Sequence, residues 1–249
     1  MPPLKDKTVL VTGAARRVGR GIVLQLAQQG CHIVIHYKSS EREAVNLAEE
    51  VRSMGRRARV LPADLSSKAE CEKLVSDASG KAGKLDFLVN SASVFPSGDI
   101  LSADGNELDR TVVVNSWSPL WLSNVFYSAV EAGAIVNLLD TRVTGYDFSN
   151  FPYYISKRIL SDITENLALR FAPKVRVNAV APGLILPPEG KGASYLQRVA
   201  RIVPMKTNGT VSDVAEAVSF LLSSDFVTGQ TIFVDGGQHL LHHIFGDNR

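Results

Sequence analysis

Tyr153 and Lys157 stand four positions apart. On a helix that spacing puts both side chains on one face. A nearby ammonium favours phenolate and lowers a tyrosine pKa from about 10. A tyrosine tuned in this way can give a proton to a substrate near neutral pH. Alone, Tyr-x-x-x-Lys is an ordinary helix surface pair, so its surroundings matter. Asp140 stands thirteen positions before Tyr153, and Asn115 lies in a stretch, Thr111 to Val130, that carries no charge. A buried amide there needs partners. A second group lies near the start: Thr12-Gly13-Ala14-Ala15-Arg16-Arg17-Val18-Gly19-Arg20-Gly21. A glycine-bearing turn between a strand and a helix lets backbone N–H groups approach a phosphate, and the helix dipole favours the anion. The spacing is not G-x-G-x-x-G, because Ala15 and Val18 occupy two of its positions. The same turn also serves as a plain strand–helix connection.

The elements that must position these residues alternate. Strands are expected at Lys7–Val11, His32–His36, Ala58–Leu61, Leu85–Val89, Ala134–Leu139, Val175–Val180 and Gln230–Val234. Helices are expected at Arg20–Gln29, Glu41–Met54, Ser67 to about Ala78, Asp104–Val130 (one long helix in the main), Pro152–Phe171, Ser194–Arg201 and Ser212–Leu222. Gly30 and Gly55 act as helix stops, and a proline opens the helix that carries Tyr153. Seven short strands, mostly separated by helices, predict an α/β fold. The sheet is parallel and doubly wound, with right-handed crossovers placing helices on both faces. The expectation is one Rossmann-type domain over residues 1–249, with ligands beyond the carboxyl ends of the strands.

The second strand indicates which nucleotide would bind. In dinucleotide folds an acid about 20 residues after the glycine turn holds the ribose 2′-OH of NAD. Here the strand ends Ile35-His36-Tyr37-Lys38-Ser39-Ser40, with no acid until Glu41. Arg16, His36, Lys38 and the two serines suit a 2′-phosphate held by charge-assisted hydrogen bonds. NADPH is therefore the expected cofactor, with a solvated surface charge as the other reading of Lys38. Asp64, after the third strand, would accept a hydrogen bond from adenine or serve as a turn residue.

Composition narrows the function classes. The chain has 249 residues, 45% hydrophobic and 21% charged, with a net charge of +2. It can bury a large core without staples. The charge balance is too even for nucleic acid as the main partner. Arg16, Arg17 and Arg20 are better explained by the glycine turn than by a nucleic-acid patch. Cys31 and Cys71 cannot form a disulfide framework or a multi-cysteine zinc site. They read as small buried hydrophobes in a reducing, cytoplasmic setting. His239, His242 and His243 lack a Cys or Glu set with ligand spacing, so no metal is expected. Met1-Pro2-Pro3-Leu4-Lys5-Asp6-Lys7 has no apolar core before its charges and does not read as a secretory signal. The uncharged stretch contains too many Ser and Asn residues for a membrane span, and no membrane partner is expected.

Taken together, Thr12-Gly13 with Gly19, Asp64, Asn90-Ser91-Ala92-Ser93, Asn115, Tyr153-x-x-x-Lys157, Pro182-Gly183 and Asp235-Gly236-Gly237 resemble the short-chain dehydrogenase/reductase family over almost the whole chain. That resemblance implies cofactor contacts at Gly13, Arg16, Arg17, Val18, Gly19, His36, Tyr37, Lys38, Ser39, Asp64, Leu65, Asn90, Ser91, Ala92, Lys157, Pro182 and Gly183. It also implies a catalytic group of Asp140, Tyr153, Lys157 and Asn115, with Asn115 holding a water or backbone group that links Lys157 to solvent. A homotetramer is implied as well. The helix with Trp117, Leu120, Trp121 and Val125 carries more apolar surface than one core face needs, which fits a subunit contact.

Three departures form a pattern of their own. The family normally has serine at the Asp140 position, glycine at the Arg17 position, and Asn-Asn-Ala-Gly in place of Asn90-Ser91-Ala92-Ser93. With Phe95 following, these features resemble the pteridine reductases and the bacterial dihydromonapterin/dihydrofolate reductase branch. A serine hydroxyl can donate to the oxyanion of carbonyl reduction, and a carboxylate would repel it. A pterin C=N bond instead gains from protonation at nitrogen, and the ring offers N–H donors to a carboxylate. On this resemblance NADPH would give its hydride to the carbon of the pterin C=N bond. Tyr153 would supply the proton, Lys157 would bind the nicotinamide ribose, and Asp140 would orient Tyr153 and the pterin. The other substrate contacts would be Arg17, Ser93 and Phe95, with Phe95 stacked on the pterin and Arg17 also reaching the pyrophosphate. A substrate loop is expected over about 183–200, punctuated by Pro187-Pro188-Glu189-Gly190-Lys191-Gly192. The alternatives are an NADPH-dependent carbonyl or 3-oxoacyl-thioester reductase of the same family, and a non-catalytic nucleotide-binding sensor on the same fold.

Overall fold

The computed structural model describes residues 4–81, 84–188, 190–242 and 244–245. Of the residues read above, Met1, Pro2, Pro3, Glu189 and His243 lie outside the described residues. The chain runs β1 (Thr8–Val11), α1 (Arg17–Gln28), β2 (His32–Tyr37), α2 (Glu41–Ser53), β3 (Ala58–Pro62), α3 (Lys68–Lys81) and β4 (Phe87–Asn90). It continues with α4 (Gly105–Val112), α5 (Ser118–Ala129), β5 (Gly133–Leu138), β6 (Tyr146–Asp147), α6 (Phe151–Phe171) and β7 (Val175–Pro182). The last elements are α7 (Ala193–Ala200), α8 (Val211–Ser223), β8 (Thr231–Val234) and β9 (Ile244–Phe245).

Every residue of β1 is buried. Successive strand side chains point to opposite faces. Val9 and Val11 accordingly join a core with Ile22 and Leu26 of α1, Leu47 of α2 and Val218 of α8. Leu10 joins a second core with Leu74 of α3, Phe126 of α5 and Leu167 of α6. A strand covered on both faces reads as a continuous apolar run, as residues 9–11 of β1, 33–35 of β2 and 87–89 of β4 do. Each fully buried Val, Leu or Ile contributes roughly 1.5–3 kcal/mol, before the entropy of ordering the chain is set against it.

The seven main strands form one sheet in the order β3-β2-β1-β4-β5-β7-β8, and all its pairings are parallel. The strand order reverses between β1 and β4. That opens a crevice beyond their carboxyl ends, where ligands of open α/β sheets bind. Thr12 N donates to Val89 O at 2.9 Å, closing the floor of this crevice.

The seven expected strands are present, with ends shifted by a residue or two. The helix at Asp104–Val130 differs from expectation. Between α4 and α5 the chain makes a π-helical turn over Val113–Trp117. Tertiary hydrogen bonds at the turn account for it. Asn115 bonds to Val94 and Ser156, Ser116 Oγ donates to Ser156 O, and Ser118 Oγ donates to Leu65 O. Single π turns inside α-helices concentrate at functional sites. The helix α1 also begins earlier than expected, at Arg17 rather than Arg20. A further small parallel pair, β6 with β9, was not expected.

Cys31 and Cys71 are buried free thiols. Burial pushes them up to about 12 and about 11, so they stay protonated. Among the described residues no helix is long and apolar enough to cross a membrane. Of the four residues assigned to a subunit contact, Leu120, Trp121 and Val125 are half-buried against the second core and Trp117 is exposed.

Gly19 has no room for a side chain. A Cβ there would lie 2.3 Å from Gly13 O. Backbone atoms cannot yield as a flexible side chain can, so Gly19→Ala should destabilise the protein by about 1–3 kcal/mol. Urea unfolding checks this, with a lower midpoint and an unchanged slope as the expected result.

Candidate active site

The end of β5 and the start of α6 bring Asp140 and Tyr153 together. Tyr153 Oη donates to Asp140 Oδ2 at 3.0 Å. Asp140 also caps the short 3-10 turn at Thr141–Thr144, accepting from Arg142 N at 2.9 Å. The first turn of α6 carries Pro152, and Tyr153 and Lys157 point inward from the same face. Lys157 Nζ donates to Leu138 O at 2.7 Å and lies 5.6 Å from the centre of the Tyr153 ring.

Burial sets the proton affinities here. It pushes the Lys157 ammonium down to about 8, opposed by the Asp140 carboxylate. The Tyr153 phenol departs from expectation. Burial first, then the Asp140 charge, hold it well above 10, with Arg142 opposing. In this setting the Tyr153 hydroxyl keeps its proton and donates a hydrogen bond to Asp140, rather than standing as a poised phenolate.

Asn115 accepts from Val94 N at 2.9 Å and from Ser93 Oγ at 3.1 Å, and donates to Val94 O at 2.9 Å and Ser156 Oγ at 3.0 Å. Its amide therefore holds the backbone beside Phe95 and reaches the neighbour of Lys157. Phe95 is 53% exposed, which leaves a face open for stacking. Its ring sits edge-on to Tyr153 with centroids 4.4 Å apart.

Sequence reasoning missed Arg142. Its guanidinium lies 5.0 Å from the centre of the Phe95 ring, and Nη1 donates to Asp147 Oδ2 at 2.8 Å. No motif spacing signals this contact.

The glycine turn has the shape a phosphate cradle needs. Gly13 has φ 60°, and a Cβ there would lie 2.7 Å from Ala92 Cα. Arg17 holds φ 52°, a left-handed conformation that favours glycine. Its Nη2 donates to Pro187 O at 2.8 Å, tying the turn to the loop after β7. Val18 packs against the core below.

His36 is corrected. It is buried, Nδ1 accepts from Gly13 N at 3.0 Å, and Nε2 lies 3.1 Å from Ala63 O. With Nε2–H donating to that carbonyl, both nitrogens of a neutral ring are used, so none is left for a phosphate. Desolvation lowers its pKa, opposed by Ala63 and Asp64, which suits this neutral structural role. Lys38 and Ser39 are exposed beyond β2, and Tyr37 is half-buried at its end. Lys38 Nζ pairs with Asp64 Oδ2 at 2.7 Å, so the two expected ligands hold each other, and Lys38 and Ser66 keep Asp64 at about 2. Arg16 pairs with Glu43 at 2.7 Å.

Other expected contacts lie around the same crevice. Leu65 is buried, and its carbonyl accepts from Ser118. Asn90 Nδ2 donates to Asn137 Oδ1 at 2.8 Å. Thr12 Oγ1 accepts from Ser91 N at 3.0 Å and Ala92 N at 3.1 Å, locking the loop after β4 to the end of β1. Pro182 ends β7, and Gly183 N donates to Val234 O at 3.0 Å. His239 bonds to Asp235, and His242 to Thr144 O. Among the described residues no group of three His, Cys, Asp or Glu is placed to hold a metal ion.

The arrangement pairs a buried proton donor and its carboxylate with a glycine-lined crevice. The profile of a family described as enoyl-(acyl carrier protein) reductase matches residues 13–239. A short-chain dehydrogenase/reductase, eriH, from Hericium erinaceus is 32% identical, covering 92% of this chain and 96% of that protein. The 3-oxoacyl-[acyl-carrier-protein] reductase FabG of Staphylococcus epidermidis is 28% identical, over 94% of this chain and all of its own. Among solved structures, the FolM alternative dihydrofolate reductase 1 from Brucella canis, complexed with NADP, superposes with a TM-score of 0.91 at 34% identity. That match covers 96% of each chain.

A lysine whose folded pKa lies below its unfolded value costs stability while charged. The cost is relieved as pH rises through the folded pKa towards the unfolded one. Lys157→Met should abolish turnover, and wild-type stability should rise relative to the variant between pH 8 and about 10.5. Thermal melts of both proteins across that range check it.

Proposed function

The chain belongs to the short-chain dehydrogenase/reductase family, and on that premise we propose that it is an NADPH-dependent reductase of the C=N bond of a pterin-type substrate, a dihydropteridine or dihydrofolate. The observation that carries this reading is the hydrogen bond from Tyr153 Oη to Asp140 Oδ2, 3.0 Å long. It puts a carboxylate where carbonyl reductases of the family resemble one another in carrying a serine.

The crevice fits the cofactor. Gly13 lies against Ala92 and Gly19 against Gly13 O, so the turn folds tightly enough to bring the N-terminus of α1 up to where a pyrophosphate would sit. Arg16 and Lys38 would exchange their present carboxylate partners for the 2′-phosphate. Bound NADPH supplies the hydride.

The protein's own residues manage the proton. Burial keeps Tyr153 protonated until a nitrogen base enters. Its proton then passes from Oη to the ring nitrogen as the neighbouring carbon accepts hydride, so C=N becomes CH–NH. Lys157 stabilises the phenolate left behind. Asp140 accepts from ring N–H donors, fixing the substrate's orientation. The exposed ring of Phe95 offers a flat stacking surface. Arg17, tied to Pro187 O, would offer its cation to the pyrophosphate and the substrate edge.

A 3-oxoacyl-thioester reductase is the second reading, favoured by relatives such as the Staphylococcus epidermidis enzyme. The Asp140 charge opposes it, because carbonyl reduction develops an oxyanion beside Tyr153.

Asp140→Ser separates the two. Serine also caps short helical turns, so the local fold should persist. Pterin kcat/KM should fall roughly 100-fold or more, with NADPH affinity retained. Steady-state kinetics and NADPH fluorescence titration measure the two effects. Unchanged pterin turnover would contradict the role given to Asp140.

A further inference from the structure

We infer that Arg142 is a positioning residue for proton transfer, holding Asp140 and Phe95 in their working places and tying both to the C-terminal strand β9. The inference rests on the reductase reading above.

Its anchor is Asp147, whose side chain is fully buried, while that of Arg142 is 23% exposed. Asp147 Oδ1 accepts from Ser149 N at 3.1 Å and Asn150 N at 2.9 Å, and Oδ2 accepts from Arg142 Nη1 at 2.8 Å. A carboxylate with this many donors is rigid, so it fixes the cation it holds. An exposed ion pair would offer no such constraint.

From that anchor the guanidinium touches the site on two sides. Arg142 Nε lies 3.8 Å from Asp140 Oδ1, while the other oxygen of Asp140 takes the Tyr153 hydroxyl. The guanidinium carbon also lies 5.0 Å from the ring centre of Phe95 and 5.0 Å from that of Phe245. Phe95 in turn packs on Tyr153. One cation thus supports the carboxylate partner of the proton donor and the aromatic wall beside it.

The tail completes the arrangement. In the β6–β9 pair, Asp147 sits opposite Phe245. Phe148 N donates to Phe245 O at 2.8 Å. The anchor and the aromatic cover of Arg142 therefore meet in a single two-strand ladder. Asp235, near the start of the same tail, accepts from Thr141 Oγ1 beside Asp140.

Arg142→Met alone would strand a buried carboxylate and confuse folding with function. The double variant Arg142→Met/Asp147→Asn removes both charges together. Phe245→Ala tests the tail without touching either charge. Each is compared with wild type for kcat, KM and NADPH affinity, using the substrate wild type turns over. The double variant should lose roughly 10- to 100-fold in kcat, with NADPH affinity held within about twofold. Phe245→Ala should lose about two- to fivefold in kcat, the scale of one cation–π contact. Unchanged kcat in the double variant would overturn the inference. So would a parallel fall in NADPH affinity, which would make Arg142 a general fold residue. If wild type reduces only 3-oxoacyl thioesters, the pterin reading fails separately. The same variants then judge Arg142 on that substrate, because Tyr153 donates the proton in either reaction.

Discussion

The hydrogen bond between the Tyr153 hydroxyl and the Asp140 carboxylate joins the end of β5 to the first turn of α6. It can exist only if both elements deliver buried side chains to one point. The parallel register of β5 between β4 and β7 fixes Asp140 just past the sheet. Pro152 and the inward face of α6 fix Tyr153. Asn115, on its π turn, ties α6 to the loop that carries Phe95. The rest of the site is arranged around a proton that burial keeps on the phenol.

That arrangement carries a stability cost. Lys157 is charged and buried, with the Leu138 carbonyl as its hydrogen-bond acceptor. Arg17 occupies a backbone conformation that glycine would adopt more easily. Strain and buried charge of this kind gather at functional sites and are tolerated because the surrounding core is large. The cofactor half behaves differently. Lys38, Asp64, Arg16 and Glu43 are paired with one another at partly exposed positions. Such pairs are weak in water and can exchange partners cheaply when a phosphate arrives.

Much of this was legible in the sequence because it is local. The alternation of seven short strands with helices announced a doubly wound sheet, and the spacing of Tyr153 and Lys157 announced a shared helix face. Asp140 stood out because the family that the chain resembles normally carries serine at that position. His36 was misread because every neighbour in β2 from Ile33 to His36 is buried, so strand alternation gives no hint of direction. Its side-chain chemistry suggested phosphate, whereas its place in the sheet gives it Gly13 and Ala63. The π turn was invisible because Asn115 and Ser116 depart from an α-helix only through bonds to distant residues. Arg142 was hidden for the same reason. Asp147 is near in sequence, but Phe95 and Phe245 come from separate parts of the chain.

The central claim is that a carboxylate beside the proton donor suits a C=N bond rather than a ketone. Its most direct test is NADPH oxidation by the wild-type protein with 7,8-dihydropterins and dihydrofolate, run beside ketones and 3-oxoacyl thioesters. Turnover confined to the pterins is the predicted result. Turnover confined to the carbonyl compounds would contradict it.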